Sequence, residues 1–91
     1  MNAVRGECKI LIDGEPHILV LTLAALAELE TLFGCQNLSD LQTRLKRLSA
    51  SELMQVLDVL LRAGGSKAAI DRVLPKTAAA AIAEAFNAAL G

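Results

Sequence analysis

Hydrophobic and polar positions near the start of the chain form two short apolar runs. Cys8 to Ile12 and His17 to Leu21 contain β-branched residues, and an Asp13-Gly14-Glu15-Pro16 segment separates them. Asp-Gly between two apolar runs favours a tight hairpin turn, because glycine adopts the positive φ that such a turn needs. The pattern therefore predicts a β-hairpin over about residues 7–22.

After the hairpin, apolar residues recur every three or four positions, which is the period of an α-helix. Gly34 is a residue type that commonly follows the last turn of a helix. Ser39 with Gln42, and Ser49 with Glu52, have the spacing of capping boxes and mark two helix starts. The predicted helices span about residues 23–33, 39–48, 50–63, 67–74 and 76–90.

A β-hairpin followed by four or five short helices in a compact bundle is an α+β fold that is mostly α. The chain has 91 residues, which is too few for two domains of ordinary size, so we expect a single domain over residues 1–91. Seventeen Leu and sixteen Ala stand against two Phe, with no Trp or Tyr. The core is therefore expected to be aliphatic.

Charge and hydropathy exclude several classes of protein. Nine basic and ten acidic residues give a net charge of −1, so the chain is not the polycation expected of a phosphate-binding protein. The apolar run from Ala78 to Ala83 is far shorter than the roughly 20 residues of a membrane span. Glu7 and Lys9 interrupt any N-terminal signal peptide. We expect a cytoplasmic protein without a membrane partner.

Residues for catalysis or metal binding are few and poorly grouped. Cys8, Cys35 and His17 supply at most three of the four nitrogen or sulfur ligands of a zinc site, and no CxxC motif is present. Glu28 and Glu30 flank a leucine on a predicted helix and diverge around it. We expect no metal, no cofactor and no enzymatic activity.

A small DNA-binding regulator is one alternative. Two consecutive predicted helices, 39–48 and 49–63, have the arrangement of a helix-turn-helix, and Arg44, Lys46 and Arg47 lie near their junction. The negative net charge and the scarcity of aromatic residues weigh against this interpretation, so we expect no nucleic-acid partner.

Protein binding is the function that the composition favours. So many Leu and Ala residues give a small domain more apolar surface than it can easily bury, which is typical of an interaction site or an oligomer interface. A partner strand can add at the hairpin edge, or a partner helix can dock among the Leu-rich helices. The candidate binding residues are Leu41, Leu45, Leu57, Leu61, Ile18 and Val20. Core packing is the rival explanation for the four leucines.

Several segments together carry a resemblance to a known family. They are Arg5-Gly6-Glu7, the strands around Asp13-Gly14, the run LTLAALAELE from Leu21 to Glu30, the segment LRAGG from Leu61 to Gly65, and the Ala-rich last helix. In this order they resemble the gene-transfer-agent and phage tail assembly chaperone family over essentially the whole chain.

The resemblance implies a non-enzymatic protein of a tailed phage, prophage or gene transfer agent. Members of this family are thought to bind the long, helical tape-measure protein while tail tube subunits assemble around it. Other members are described as tail tube components, which implies an alternative: a structural, tube-associated protein that self-assembles through the hairpin edge. The expected partners are thus the tape-measure protein, the tail tube protein or a second copy of the chain.

Overall fold

A computed structural model describes residues 7–66 and 70–90 of the chain. Its strands are β1 (Glu7–Ile12) and β2 (Glu15–Val20), and its α-helices are α1 (Leu23–Phe33), α2 (Leu38–Arg44), α3 (Ala50–Ala63) and α4 (Pro75–Leu90). A two-stranded antiparallel hairpin followed by four α-helices confirms the predicted α+β, mostly α fold.

The hairpin turns at Asp13 and Gly14, as the Asp-Gly signal predicts. Both residues have positive φ, 52° and 80°, which is the backbone geometry of the two-residue turn that matches strand twist. Ile12 pairs with Glu15, Leu11 with Pro16, and the register continues to Glu7 and Val20. One face of the hairpin packs on the helices through Cys8, Ile10, Ile12 and Leu19.

Helices α1 and α3 have the bounds expected from the sequence, because both carry strong local start and stop signals. The hydroxyl of Thr22 accepts a hydrogen bond from the N–H of Ala25 at the start of α1, and Gly34 ends it in the left-handed conformation, φ 67°. At the start of α3, Ser49 and Glu52 form the predicted capping box, with each side chain accepting from the other residue's N–H.

Helix α2 differs from the prediction at both ends. The side chain of Asn37, not Ser39, caps the helix and accepts from the N–H of Asp40 at 2.8 Å, so the Ser39–Gln42 capping box is wrong. Asn is as good an N-cap as Ser, and this one starts the helix earlier. The helix ends at Arg44 instead of residue 48, because the chain tightens into three-residue turns there, with the N–H of Arg47 donating to the carbonyl of Arg44.

The helix predicted over residues 67–74 is not a regular α-helix in the part that is described. Residues 67–69 lie outside the described residues, Ile70–Arg72 form a single 3₁₀ turn, and Val73 and Leu74 are not helical. Pro75 accounts for the non-helical Leu74, because a residue before proline is pushed out of the α conformation. Pro75 itself is the first residue of α4, where its missing N–H costs no hydrogen bond.

The core lies between the hairpin and the two long helices. Helix α3 packs beneath β2 and against α4, helix α4 packs beneath β1, helix α1 packs against α3, and helix α2 packs against α1. Small residues bring α4 close to β1, and the Cys8 thiol donates to the carbonyl of Ala81 at 3.1 Å. In the described part of the chain, no helix is long and apolar enough to cross a membrane.

Candidate protein-binding groove

Three of the six predicted binding residues are core residues. Leu41, Leu57 and Leu61 are 0%, 1% and 2% exposed. Their visible role is to pack α2 and α3 into the core, although Leu57 also lines a cavity that Met54 and Pro75 border. The structure therefore separates them from the three predicted residues that stay at the surface.

The other three predicted residues lie on two different surfaces. Leu45, the residue after α2, is half-buried and lines an open groove. Ile18 and Val20 are paired in register with Lys9 and Glu7, on the face of the hairpin that points away from the core residues. The structure thus brings Ile18 and Val20 together and places Leu45 apart from them.

The groove that includes Leu45 has a volume of about 400 Å³. It lies between the segment that follows α2, the first turn of α3 and the outer side of α4. Its apolar lining is Leu45, Leu48, Leu53, Ile82 and Phe86, with Ala79 and Ala83. Gln42, Lys46 and Asn87, all exposed, complete its lining. An open apolar groove with a polar margin is the usual surface for docking one face of an amphipathic helix.

Arg44 holds the wall of this groove in place. Its guanidinium donates to the carbonyl of Arg47 at 2.7 Å and pairs with the carboxylate of Glu52 at the start of α3. The same guanidinium lies 5.2 Å from the ring centre of Phe33, at the end of α1, which is a cation–π contact. One side chain therefore ties the segment after α2 to two neighbouring helices.

A second cavity, of about 210 Å³, lies on the other side of Leu53. Leu53 lines both cavities, and the second is bounded by Met54, Ile70, Val73 and Pro75 among others. Met54 is 42% exposed, and methionine side chains adapt their shape to a partner. The two cavities extend the apolar surface along the junction of α3 and α4.

The groove contains one charged residue, Lys46, and no acid. No ion pair of Lys46 with a described acidic side chain falls within 4.0 Å. The groove therefore combines an apolar floor with a single cation at its margin. An apolar ridge that carries a carboxylate would be complementary to such a surface.

Two arginines on the described surface, one of them the Arg44 of the DNA-binding alternative, are paired with acids. Arg62 donates to Glu28 at 2.7 Å and to Asp58 at 2.9 Å, and these two carboxylates raise the pKa of its guanidinium. Arg44 is paired with Glu52. Carboxylates beside these two cations weaken their attraction for phosphate.

The thiol of Cys8 has no visible chemical role. Burial, with a smaller effect of the nearby Glu84 carboxylate, raises the pKa of the Cys8 thiol from 9.0 to about 11. A thiol with a raised pKa is a poor nucleophile and a poor metal ligand. Among the described residues, no three His, Cys, Asp or Glu side chains are grouped closely enough to hold a metal ion.

The sequence pattern predicted only one of the groove-lining residues, Leu45, as a binding residue. Leu48 and Leu53 have the spacing of a hydrophobic staple around the Ser49 cap, which predicts that they lie close together. Nothing local indicates that Ile82 and Phe86, on the last helix of the chain, form the opposite wall. The pairing of these two walls depends on how α4 packs, which is a long-range property.

Comparison with known proteins gives one match. A family model described as "Phage tail tube protein, GTA-gp10" matches residues 5–91, which is nearly the whole chain. No curated protein matches the chain. No solved structure matches it either.

Proposed function

Because the chain belongs to the family described as phage tail tube protein, GTA-gp10, we propose that it is a non-enzymatic, tube-associated component that binds another tail protein in its apolar groove. Membership makes it a tail-related protein of a phage or a gene transfer agent. The groove beside Leu45, Leu53 and Phe86 is the observation that carries the proposal.

The shape and charge of the groove describe the partner. Its α4 wall runs from Ala79 to Asn87, which is about 12 Å of helix or roughly two turns. A partner helix of that contact length presents apolar side chains to Ile82 and Phe86 and an acidic side chain to Lys46. The tape-measure protein and the tail tube protein are the partners to test first.

The experiment compares two exposed alanines on α4. Ala83 lines the groove and Ala80 does not, although both are exposed and both lie mid-helix. Ala83→Arg fills the groove and adds a second cation beside Lys46, whereas Ala80→Arg adds the same side chain elsewhere. In cells that lack the native gene, we expect Ala83→Arg to reduce the yield of tailed particles and Ala80→Arg to leave it unchanged.

Both variants are exposed-surface changes, so their unfolding free energies are expected to stay within about 0.5 kcal/mol of the native chain. Mass spectrometry of purified particles then tests the structural role. A tube-associated component is present in finished tails at a fixed ratio to the other tail proteins. Equal particle yields for the two variants would contradict the role of the groove.

A tail assembly chaperone is the second candidate function, and the openness of the groove favours it. An exposed apolar groove suits temporary shielding of an aggregation-prone helical client as well as permanent contact. This candidate predicts that Ala83→Arg lowers particle yield while the chain itself is missing from finished tails. It also predicts that co-expression keeps the tape-measure protein in solution and that the two proteins co-elute in gel filtration.

A further inference from the structure

The two outer edges of the hairpin differ in their accessibility. Pro16 lies opposite Leu11, and because proline has no N–H, this pair lacks the ladder hydrogen bonds. Along an antiparallel ladder, pairs without hydrogen bonds alternate with hydrogen-bonded pairs. Lys9–Ile18 and Glu7–Val20 therefore also lack hydrogen bonds between the two strands. The main-chain N–H and C=O groups of Glu7, Lys9 and Leu11 therefore point away from β2.

The outer edge of β2 is closed at its centre. The Cα of Gly64, just after α3, lies against the carbonyl oxygen of Ile18, in the position that an added strand would need. On β1, within the described part of the chain, no hydrogen bond from a loop, helix or side chain reaches the outward groups of Glu7, Lys9 and Leu11. An unpaired edge of this kind is a template for another strand.

The side chains of this edge specify the charge of a partner. Glu7 and Lys9, two positions apart, both lie on the hairpin face that points away from the core. An antiparallel strand matches them when it carries an acidic residue opposite Lys9 and, two positions later, a basic residue opposite Glu7. Opposite charges directly across a sheet stabilise the pairing.

A second copy of this chain is excluded from this pairing by helix α4. The sequence Glu7-Cys8-Lys9 matches itself when two copies of β1 pair around Cys8, and α4 lies beneath Cys8 in both copies. Neighbouring strands are about 4.8 Å apart, whereas packed helices need at least about 8 Å between their axes. The two α4 helices would therefore overlap, so the fitting partner is an extended segment without a helix beneath it.

We propose that the outer edge of β1 binds an extended segment of another protein as an antiparallel strand, with an acidic residue opposite Lys9 and a basic residue opposite Glu7. The residue between these two faces α4 beside Ala81 and is small. This surface is distinct from the groove and goes beyond the function proposed above. The outer edge of β1 is thus a second binding surface, in addition to the groove.

The test uses two capped seven-residue peptides and isotope-labelled native chain. TVEAKVT places Glu opposite Lys9, Ala opposite Cys8 and Lys opposite Glu7, and TVKAEVT reverses the two charges. In an NMR titration we expect TVEAKVT to bind about fivefold more tightly than TVKAEVT. Binding should slow hydrogen exchange at the amides of Glu7, Lys9 and Leu11 but not at Ile18.

The double variant Glu7→Lys, Lys9→Glu is the matched control, because it exchanges the charges without changing the composition. It is expected to reverse the preference for the two peptides. Ala83→Arg, which fills the groove, should leave peptide binding unchanged. The experiment therefore distinguishes a failure of the proposed groove binding from a failure of the proposed strand addition at β1. Equal affinities, shifts that map to Phe86, or no saturable binding at millimolar peptide would overturn the proposal.

Discussion

Gly64 lies so close to the carbonyl of Ile18 that no other residue fits at position 64 without a shift of the backbone. A methyl group there would overlap the carbonyl oxygen of Ile18 and stand 3.3 Å from Cγ2 of Val20. The contact joins the end of α3 to the edge of β2. It both seats the hairpin on α3 and closes that edge to other strands.

Gly64→Ala is expected to lower the free energy of unfolding by about 1–3 kcal/mol, the usual cost of overpacking a close contact. Backbone strain is not the cause, since the φ of Gly64, −85°, suits any residue. Urea unfolding measures the change. Gly65→Asn is the control, because position 65 has no neighbour within 4 Å and Asn tolerates its positive φ. Equal stability of Gly64→Ala and the native chain would contradict the close approach.

The capping box of α3 gives a prediction with a matched control two positions away. Ser49→Ala removes the hydroxyl that accepts from the N–H of Glu52, and the expected loss is about 1 kcal/mol. Ser51 is exposed and its hydroxyl makes no hydrogen bond within the described structure. Ser51→Ala should therefore leave the midpoint of thermal unfolding nearly unchanged. A similar loss of stability in Ser49→Ala and Ser51→Ala would show that the helix cap is not the cause.

Glu52 makes the stability of α3 depend on pH. The N–H of Ser49, and after it Arg44, hold the pKa of the Glu52 carboxyl below its ordinary value of 4.5. The folded chain therefore binds a proton less readily than the unfolded chain, so this stabilisation is complete above pH 4.5 and is lost as pH falls through the lowered pKa. We expect the native chain to have a higher free energy of unfolding than the Glu52→Gln variant, and this difference to narrow below pH 4.5. Urea unfolding at several pH values measures it. A constant difference from pH 7 to 3 would contradict this.

Local signals predicted the elements whose ends are fixed by neighbouring residues. Asp13-Gly14 determines the hairpin turn, Gly34 the end of α1 and Ser49 the start of α3, and each acts within about four positions. The predicted start of helix α2 was wrong because two good caps, Asn37 and Ser39, compete within one turn. Sequence alone gives no reason to prefer one over the other.

The groove was less predictable, because its two walls come from distant parts of the chain. Leu45 was selected from the sequence, but Phe86 joins it only through the packing of α4. Leu41 was selected for the same reason as Leu45, yet it points into the core. Helical periodicity identifies an apolar face without saying whether another element covers it.

Leu41 and Leu45 together test which predicted binding residues belong to the core. Leu41→Ala leaves a cavity at a fully buried site and is expected to lower the free energy of unfolding by about 2–5 kcal/mol. Leu45→Ala removes a half-buried side chain from an open groove, so we expect a loss of no more than about 1 kcal/mol together with weaker binding of a partner helix. Urea unfolding gives the first quantity, and co-purification with the tape-measure or tube protein gives the second. If the two variants lost equal stability, the assignment of Leu45 to an open surface would be wrong.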